Sequence, residues 1–215
     1  MVNLRNIPLF AGVVGVDFSA LSERAVTRTY PKNAVIVSEG DRSNSLYVIL
    51  SGTVKIFLAD AGGKELILDI KGEGDYFGEM VLDKGPRSAS VMSVTPLQCA
   101  VISSEDFTDF LLKHPEVAFE LIKNLIRLTR GMNANLHSLA MLDVYGRVAR
   151  MLLDNAVEHD GKLVIPGKLT QKDMAARVGA SREMVSRILH DLSSGGYISM
   201  VARRITINRA LPARW

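Results

Sequence analysis

Two short stretches hold residue types that could do chemistry. In the first, Gly78-Glu79-Met80 is followed closely by Arg87-Ser88-Ala89, between stretches that read as strand. A helical turn opened by glycine offers backbone N–H groups to an anion, and Arg and Ser add charge-assisted hydrogen bonds to a phosphate. Glu79 is out of place beside an anion unless it accepts from a hydroxyl, as a ribose 2′-OH supplies. A Glu–Arg ion pair bracing a β-turn accounts for the same residues, and the stretch alone leaves both readings open.

The second stretch is a pair of short helices around Gly179. Ala175 stands four residues before the glycine, with Val185 and Ile188 after it. A tight turn needs Gly, a close helix crossing needs a small Ala, and the second helix needs apolar core residues. On that second helix Met184, Val185, Ile188, Leu189 and Leu192 form the expected buried stripe, leaving Arg182, Glu183, Ser186, Arg187 and His190 on the other face. Arg pairs bidentately with guanine O6/N7 and Glu accepts from cytosine N4, so this face suits a helix lying in the major groove. A solvated charged face on a generic helical hairpin is the plainer explanation. The spacing, a following hairpin and a local basic excess favour DNA.

These groups need elements to position them. Residues 30–105 read as β, with runs at 35–38, 45–50, 53–60, 65–70, 88–94 and 97–103 separated by Gly, Pro and Asp turns. Many short strands at near-even spacing predict an antiparallel barrel or jelly roll. After Pro115 the period changes: Ala118, Leu121, Leu125, Leu128, Met132, Asn135, Leu139 and Leu142 alternate spacings of three and four. That is a seam sustained over more than three heptads, and a parallel homodimer is the natural way to bury it, with Asn135 setting the register. Gly131 weakens the helix and predicts a close approach or a ligand there. A helix over 144–157 and a short strand near 163–165 follow. Thr170 and Asp173 then have the form of a capping box, Ser181 caps the second helix, and Gly195-Gly196 turns the chain into a hairpin wing.

Composition narrows the classes. The chain has 215 residues, 47% apolar and 23% charged, with one cysteine, Cys99. That is ordinary globular composition with no disulfide framework and no cysteine cluster for zinc or iron–sulfur, so a reducing cytoplasm is expected. No apolar run approaches the roughly 20 residues of a membrane span. Pro8 and Asp17 interrupt the N-terminal apolar patch, so it does not read as a signal peptide. Residues 1–142 carry 14 Lys+Arg against 16 Asp+Glu, a balance of −2, and residues 143–215 carry 12 against 7, a balance of +5. An acidic front and a basic back predict two domains with a nucleic-acid partner at the back.

The chain resembles the catabolite activator (cAMP receptor) and fumarate–nitrate regulator superfamily of bacterial transcription factors, over nearly its whole length. Residues 77–89 look like that family's phosphate-binding cassette, 141–153 like its hinge and first DNA-domain helix, and 169–189 like its helix-turn-helix. The resemblance implies an α+β fold: a cyclic-nucleotide-binding β-roll (1–115), a dimerisation helix (116–142) and a winged helix-turn-helix (143–215). It implies that Gly78 and Ser88 hold a cyclic phosphate, that Arg87 neutralises it and that Glu79 binds the ribose, with Met80 and Ala89 completing the cassette. Met132 and Asn133 stand where the cAMP-binding branch has a Thr-Ser pair on adenine, the Ser coming from the opposite subunit.

Carried over likewise, Thr170, Gln171, Ser181, Arg182, Glu183, Ser186, Arg187 and His190 form the DNA contact, on a palindrome with half-sites like GTGA. RNA polymerase is the implied further partner, with the loop around Glu158–Lys168 a candidate contact, and the hinge is expected near Leu142–Tyr145. cAMP is the first expectation for the ligand. Cyclic di-GMP, cGMP or DNA binding without a ligand are the alternatives, because Met132 departs from the pattern. The iron–sulfur branch does not fit the single cysteine, and His114, His137, His159 and His190 are too scattered to suggest haem. An enzyme using Glu79 as base is the reading from another class, but no metal-ligand spacing, nucleophile elbow or P-loop accompanies it.

Overall fold

The run Ser45–Ser51 sets the fold of the first half, because it is buried on both faces: Leu46, Tyr47, Val48 and Ile49 are all core residues. Side chains alternate across a strand, so one continuous apolar run must satisfy two cores. Leu46 and Val48 join a cluster with Phe18, Leu21, Phe107, Phe110, Val117 and Leu121. Tyr47 and Ile49 join a second one with Val37, Val54, Phe77, Val91, Leu97 and Cys99.

The computed structural model describes residues 7, 13, 15–42, 44–165, 170–201 and 204–212. Pro8 of the N-terminal patch, residues 202–203 of the wing and positions 166–168 of the Glu158–Lys168 loop lie outside the described residues. In chain order the elements are α1 (Ser19–Arg24), β1 (Val26–Tyr30), β2 (Val35–Val37), β3 (Ser45–Ser51), β4 (Val54–Ala59), β5 (Glu65–Lys71) and β6 (Tyr76–Phe77). A 3-10 helix (Glu79–Asp83), β7 (Ser90–Ser93), β8 (Leu97–Ser103), α2 (Ser104–Lys113) and α3 (Pro115–Met141) follow. The remainder is α4 (Val144–Asp154), β9 (Val157–His159), β10 (Lys162–Ile165), α5 (Gln171–Val178), α6 (Arg182–Ser194), β11 (Ile198–Val201) and β12 (Arg204–Ile207).

Two four-stranded sheets build the expected β-roll, in the orders β1-β8-β3-β6 and β2-β7-β4-β5. The first pairs antiparallel with Leu46 opposite Ile102 and Val48 opposite Ala100. Helices α1, α2 and the start of α3 supply the apolar side chains that cover its outer face.

The structure adds α1, β1, β6, α2 and β9 to the expected set. β1 is an edge strand whose central Thr27, Arg28 and Thr29 are exposed, β6 is two residues long, and α2 opens on Ser103, whose hydroxyl accepts from the Asp106 N–H at 3.0 Å. Helix α4 ends at Asp154 instead of 157, because the Asn155 side chain donates to the Met151 carbonyl and Val157 pairs with Val164 in a hairpin.

Helix α3 is 27 residues long, about 40 Å. Its expected seam needs a correction in the first half. Val117 and Leu121 are buried against the roll and Leu125 packs partly on it. The apolar side chains left exposed are Phe119, Ile122 and Ile126, then Met132, Leu136, Leu139 and Met141. The outward stripe therefore starts one position after the expected one. At Gly131 an added Cβ meets nothing within 4 Å, so among the described residues the expected close approach is not made.

The chain divides into two compact units, residues 1–58 with 67–130 and residues 59–66 with 131–215. The second has its own core, in which Tyr145, Val148 and Leu152 of α4 meet Met174 and Val178 of α5, four side chains of α6 and Ile198, Ile205 and Ile207 of the wing. Its sheet runs β11-β12-β10-β9.

Candidate functional site

The cassette is built on glycine geometry. Gly78 sits at φ 87°, the left-handed conformation that frees the chain to turn from β6 into the 3-10 helix. A Cβ there would also stand 2.7 Å from Arg87 Nη1 and 3.0 Å from the Ser45 carbonyl oxygen. The glycine is thus required twice, for its dihedral and for the space the guanidinium fills.

Arg87 is 7% exposed. Its Nη2 donates to the Ser45 carbonyl at 2.6 Å and its Nη1 to the Gly78 carbonyl at 3.3 Å. The backbone is held as firmly, since its N–H donates to the Asp41 carbonyl and its carbonyl accepts from Gly40. The guanidinium also lies 5.9 Å from the centre of the Tyr47 ring, which stacks on Phe77. Burial pulls the Arg87 pKa down from its ordinary value, with Tyr47 and Glu79 opposing. A cation kept partly out of water in this way gains when an anion docks against it.

Glu79 is half-buried and lines a cavity of about 360 Å³ together with Asp69, Lys71, Asp75, Tyr76, Asn124 and Arg127. Asn124 and Arg127 face it from α3, where Arg127 donates to Asn124 Oδ1. Burial first, then the Glu79 charge, pushes the Tyr76 phenol up to about 12, so it stays protonated and able to donate. Lys71 Nζ donates to the Tyr76 carbonyl at 2.8 Å.

Of the expected ligand residues, the structure brings Gly78 into contact with Arg87 and sets Glu79 on the cavity wall. Met80 and Ser88 are exposed, and Ala89 is buried. Met132 and Asn133 are exposed on α3, one to two turns beyond the part that lines the cavity. Tyr76, Asn124 and Arg127 escaped the sequence reading. Asn124 and Arg127 lie some 50 residues from the cassette in sequence, and only the fold brings them to it.

In the second unit Thr170 caps α5: its hydroxyl accepts from the Asp173 N–H at 3.1 Å, while Asp173 Oδ2 accepts from the Thr170 N–H at 3.1 Å. Gly179 ends that helix at φ 65°. Ser181 caps α6, accepting from the Met184 N–H at 3.2 Å. The Thr170 and Ser181 hydroxyls, expected at DNA, therefore also hold the helix starts. Arg182, Glu183, Arg187 and His190 are exposed, Ser186 and Gln171 half-exposed. Its own backbone N–H and the Ser181 hydroxyl hold the Glu183 carboxyl below the usual range, so it is an acceptor throughout the neutral range. Met184 is corrected: it is exposed, not part of the buried stripe. Arg147 links α4 to this pair, donating to the Val178 carbonyl at 2.8 Å and to the Leu142 carbonyl at 2.8 Å.

Among the described residues no group of His, Cys, Asp and Glu has the arrangement of a metal site, and no helix is long and apolar enough to cross a membrane.

Residues 27–114 match the cyclic nucleotide-binding domain family and residues 146–210 the Crp-like helix-turn-helix domain family. The chain is 33% identical over 205 residues to the CRP-like cAMP-activated global transcriptional regulator of Mycobacterium tuberculosis, covering 93% of this chain and 92% of that one. Among solved structures it is similar to the c-di-GMP responsive global regulator CLP of Xanthomonas campestris, with a TM-score of 0.76 at 25% identity over 87% of this chain and 96% of that one. A mutant of CooA from Carboxydothermus hydrogenoformans shares the fold, with a TM-score of 0.79 at 20% identity over 95% of this chain and 93% of that one.

Proposed function

This chain belongs to the Crp-like family of cyclic-nucleotide-binding, DNA-binding transcription regulators, and we propose that it works as a cytoplasmic homodimer whose affinity for operator DNA is set by cyclic AMP. We take residues 1–115 as the sensing roll, 116–142 as the dimer helix and 143–215 as the DNA-binding domain.

One observation carries the ligand assignment: Arg87 is a buried cation, held by two carbonyls and set against Gly78, with Glu79 next in the chain. A cyclic phosphate docked there meets the guanidinium directly, with Ser88 as a second donor. Glu79, on the cavity wall, accepts from the ribose hydroxyl. The base then extends toward α3, where Asn124, Arg127 and the Tyr76 hydroxyl supply polar groups and Met132 and a partner's Asn133 complete the site. Met80 and Ala89 shape the cassette without hydrogen-bonding the ligand.

The exposed stripe on α3 supports the dimer, since Phe119, Ile122 and Ile126 have the three-and-four spacing of a coiled seam. Thr170, Gln171 and Ser181 belong at the phosphate backbone of DNA. Arg182, Glu183, Ser186, Arg187 and His190 face base edges in a half-site like GTGA. RNA polymerase is the proposed further partner. No chemical step is assigned to Glu79, which we read as a ligand contact.

The test is isothermal titration of the purified protein with cAMP, cGMP and cyclic di-GMP. Tight binding of cAMP that vanishes in Arg87→Ala is expected. The Xanthomonas likeness gives cyclic di-GMP the second place, and tight binding of that ligand alone reassigns the signal. No heat with any of the three overturns the sensing role and leaves DNA binding without a ligand.

A further inference from the structure

Helix α6 buries Val185, Ile188, Leu189 and Leu192, each less than a tenth exposed, but leaves Met184 40% exposed. Its place is fixed, because the Ser181 cap takes the Met184 N–H and so sets it in the first turn of the helix. At about 100° per residue, Met184 lies about 60° around the helix from Arg187 and about 90° from the middle of the buried stripe. It therefore flanks the face that carries Glu183 and Arg187 and turns away from the core.

Every other exposed side chain in the first two turns of α6 (Arg182, Glu183 and Arg187) is a hydrogen-bonding group suited to a base edge or a phosphate. A thioether has no proton to donate and accepts only weakly. The major groove presents one apolar feature, the C5-methyl group of thymine, and an unbranched, polarizable side chain adapts well to it. We propose that Met184 reads a thymine in each half-site through contact with its methyl group. This inference rests on the DNA-binding reading above and adds to it a specificity-determining residue.

The experiment uses the full-length protein with cAMP. An operator is first selected from a random duplex pool, and each of its thymines is then replaced by uracil, which removes only the methyl group. One thymine per half-site is expected at which the swap weakens wild-type binding about fourfold, the worth of one buried methyl-sized group. Met184→Ala is expected to bind the thymine operator about fourfold more weakly and to be indifferent to the same swap. Met184→Leu, which keeps an apolar side chain, is expected to retain the sensitivity. Indifference of the wild type at every thymine, or an unchanged uracil effect in Met184→Ala, overturns the proposal. Failure of the DNA-binding reading looks different: no sequence is enriched, and selected and random duplexes bind equally.

Discussion

Arg87 and Gly78 form a unit in which each explains the other. The guanidinium occupies the space that a Cβ on Gly78 would take, and the glycine's φ of 87° suits no L side chain. Gly78→Ala must therefore strain the turn and push Arg87 from its two carbonyls. The strain costs about 1–2 kcal/mol of stability. With Arg87 as the proposed phosphate contact, the larger effect is expected on ligand binding, since a displaced cation no longer meets the phosphate, and cyclic nucleotide affinity is expected to drop tenfold or more. Gly63→Ala separates the two effects: Gly63 also has a positive φ, of 77°, but an added Cβ there meets nothing within 4 Å. It should lose similar stability in a thermal melt and bind the nucleotide as tightly as the wild type. Equal affinity in both variants would show that Arg87 does not need its present position.

At the scale of elements, what was legible in the sequence depended on whether one pattern had one solution. The strands from 35 to 103 other than β6 were legible because their Val- and Ile-rich runs are cut by Gly and Pro, and both helix caps at Thr170 and Ser181 were legible because they are local. Strand β1 was not, since Thr27, Arg28 and Thr29 present no apolar alternation on an exposed edge. Helix α2 was missed although its signal was present: Ser103 and Asp106 are spaced as a cap, and Phe107, Phe110 and Leu111 follow at helical spacing. The expected seam differs from the exposed stripe only in the first half of α3, which carries two adjacent apolar stripes of the same period; burial of Val117 and Leu121 on the roll shows which one is committed inside the chain. That distinction has a measurable consequence. Ile126→Glu puts a charge in the outward stripe and is expected to give a folded monomer in sedimentation equilibrium. Leu121→Ala opens the roll's own core and is expected to lower stability by about 2–5 kcal/mol while the protein remains a dimer. The reverse pattern restores the seam at Leu121.

Taken whole, the molecule joins a sensing roll with net charge −2 in its first 142 residues, counting α3, to a DNA-binding part with +5 in the remaining 73. The acidic part gains nothing from DNA electrostatically, so any effect of the nucleotide on DNA affinity must come through the equilibrium between conformations. A ligand shifts such an equilibrium only by its difference in affinity for the two states. Linkage then requires that the factor by which the nucleotide tightens operator binding equal the factor by which operator tightens nucleotide binding. We expect that shared factor to fall within about 5–150-fold. It is checked by measuring operator affinity with and without saturating cAMP, and cAMP affinity with and without saturating operator, at one salt concentration. Fixed salt matters because the phosphate contacts of the basic part make DNA affinity fall steeply with added salt. Random duplex should give a smaller factor, since the base-edge contacts proposed for Arg182 and Arg187 are the ones that need the DNA domains correctly placed. A factor of one in both directions, with cAMP still bound, would mean that the roll holds a nucleotide without passing the signal on.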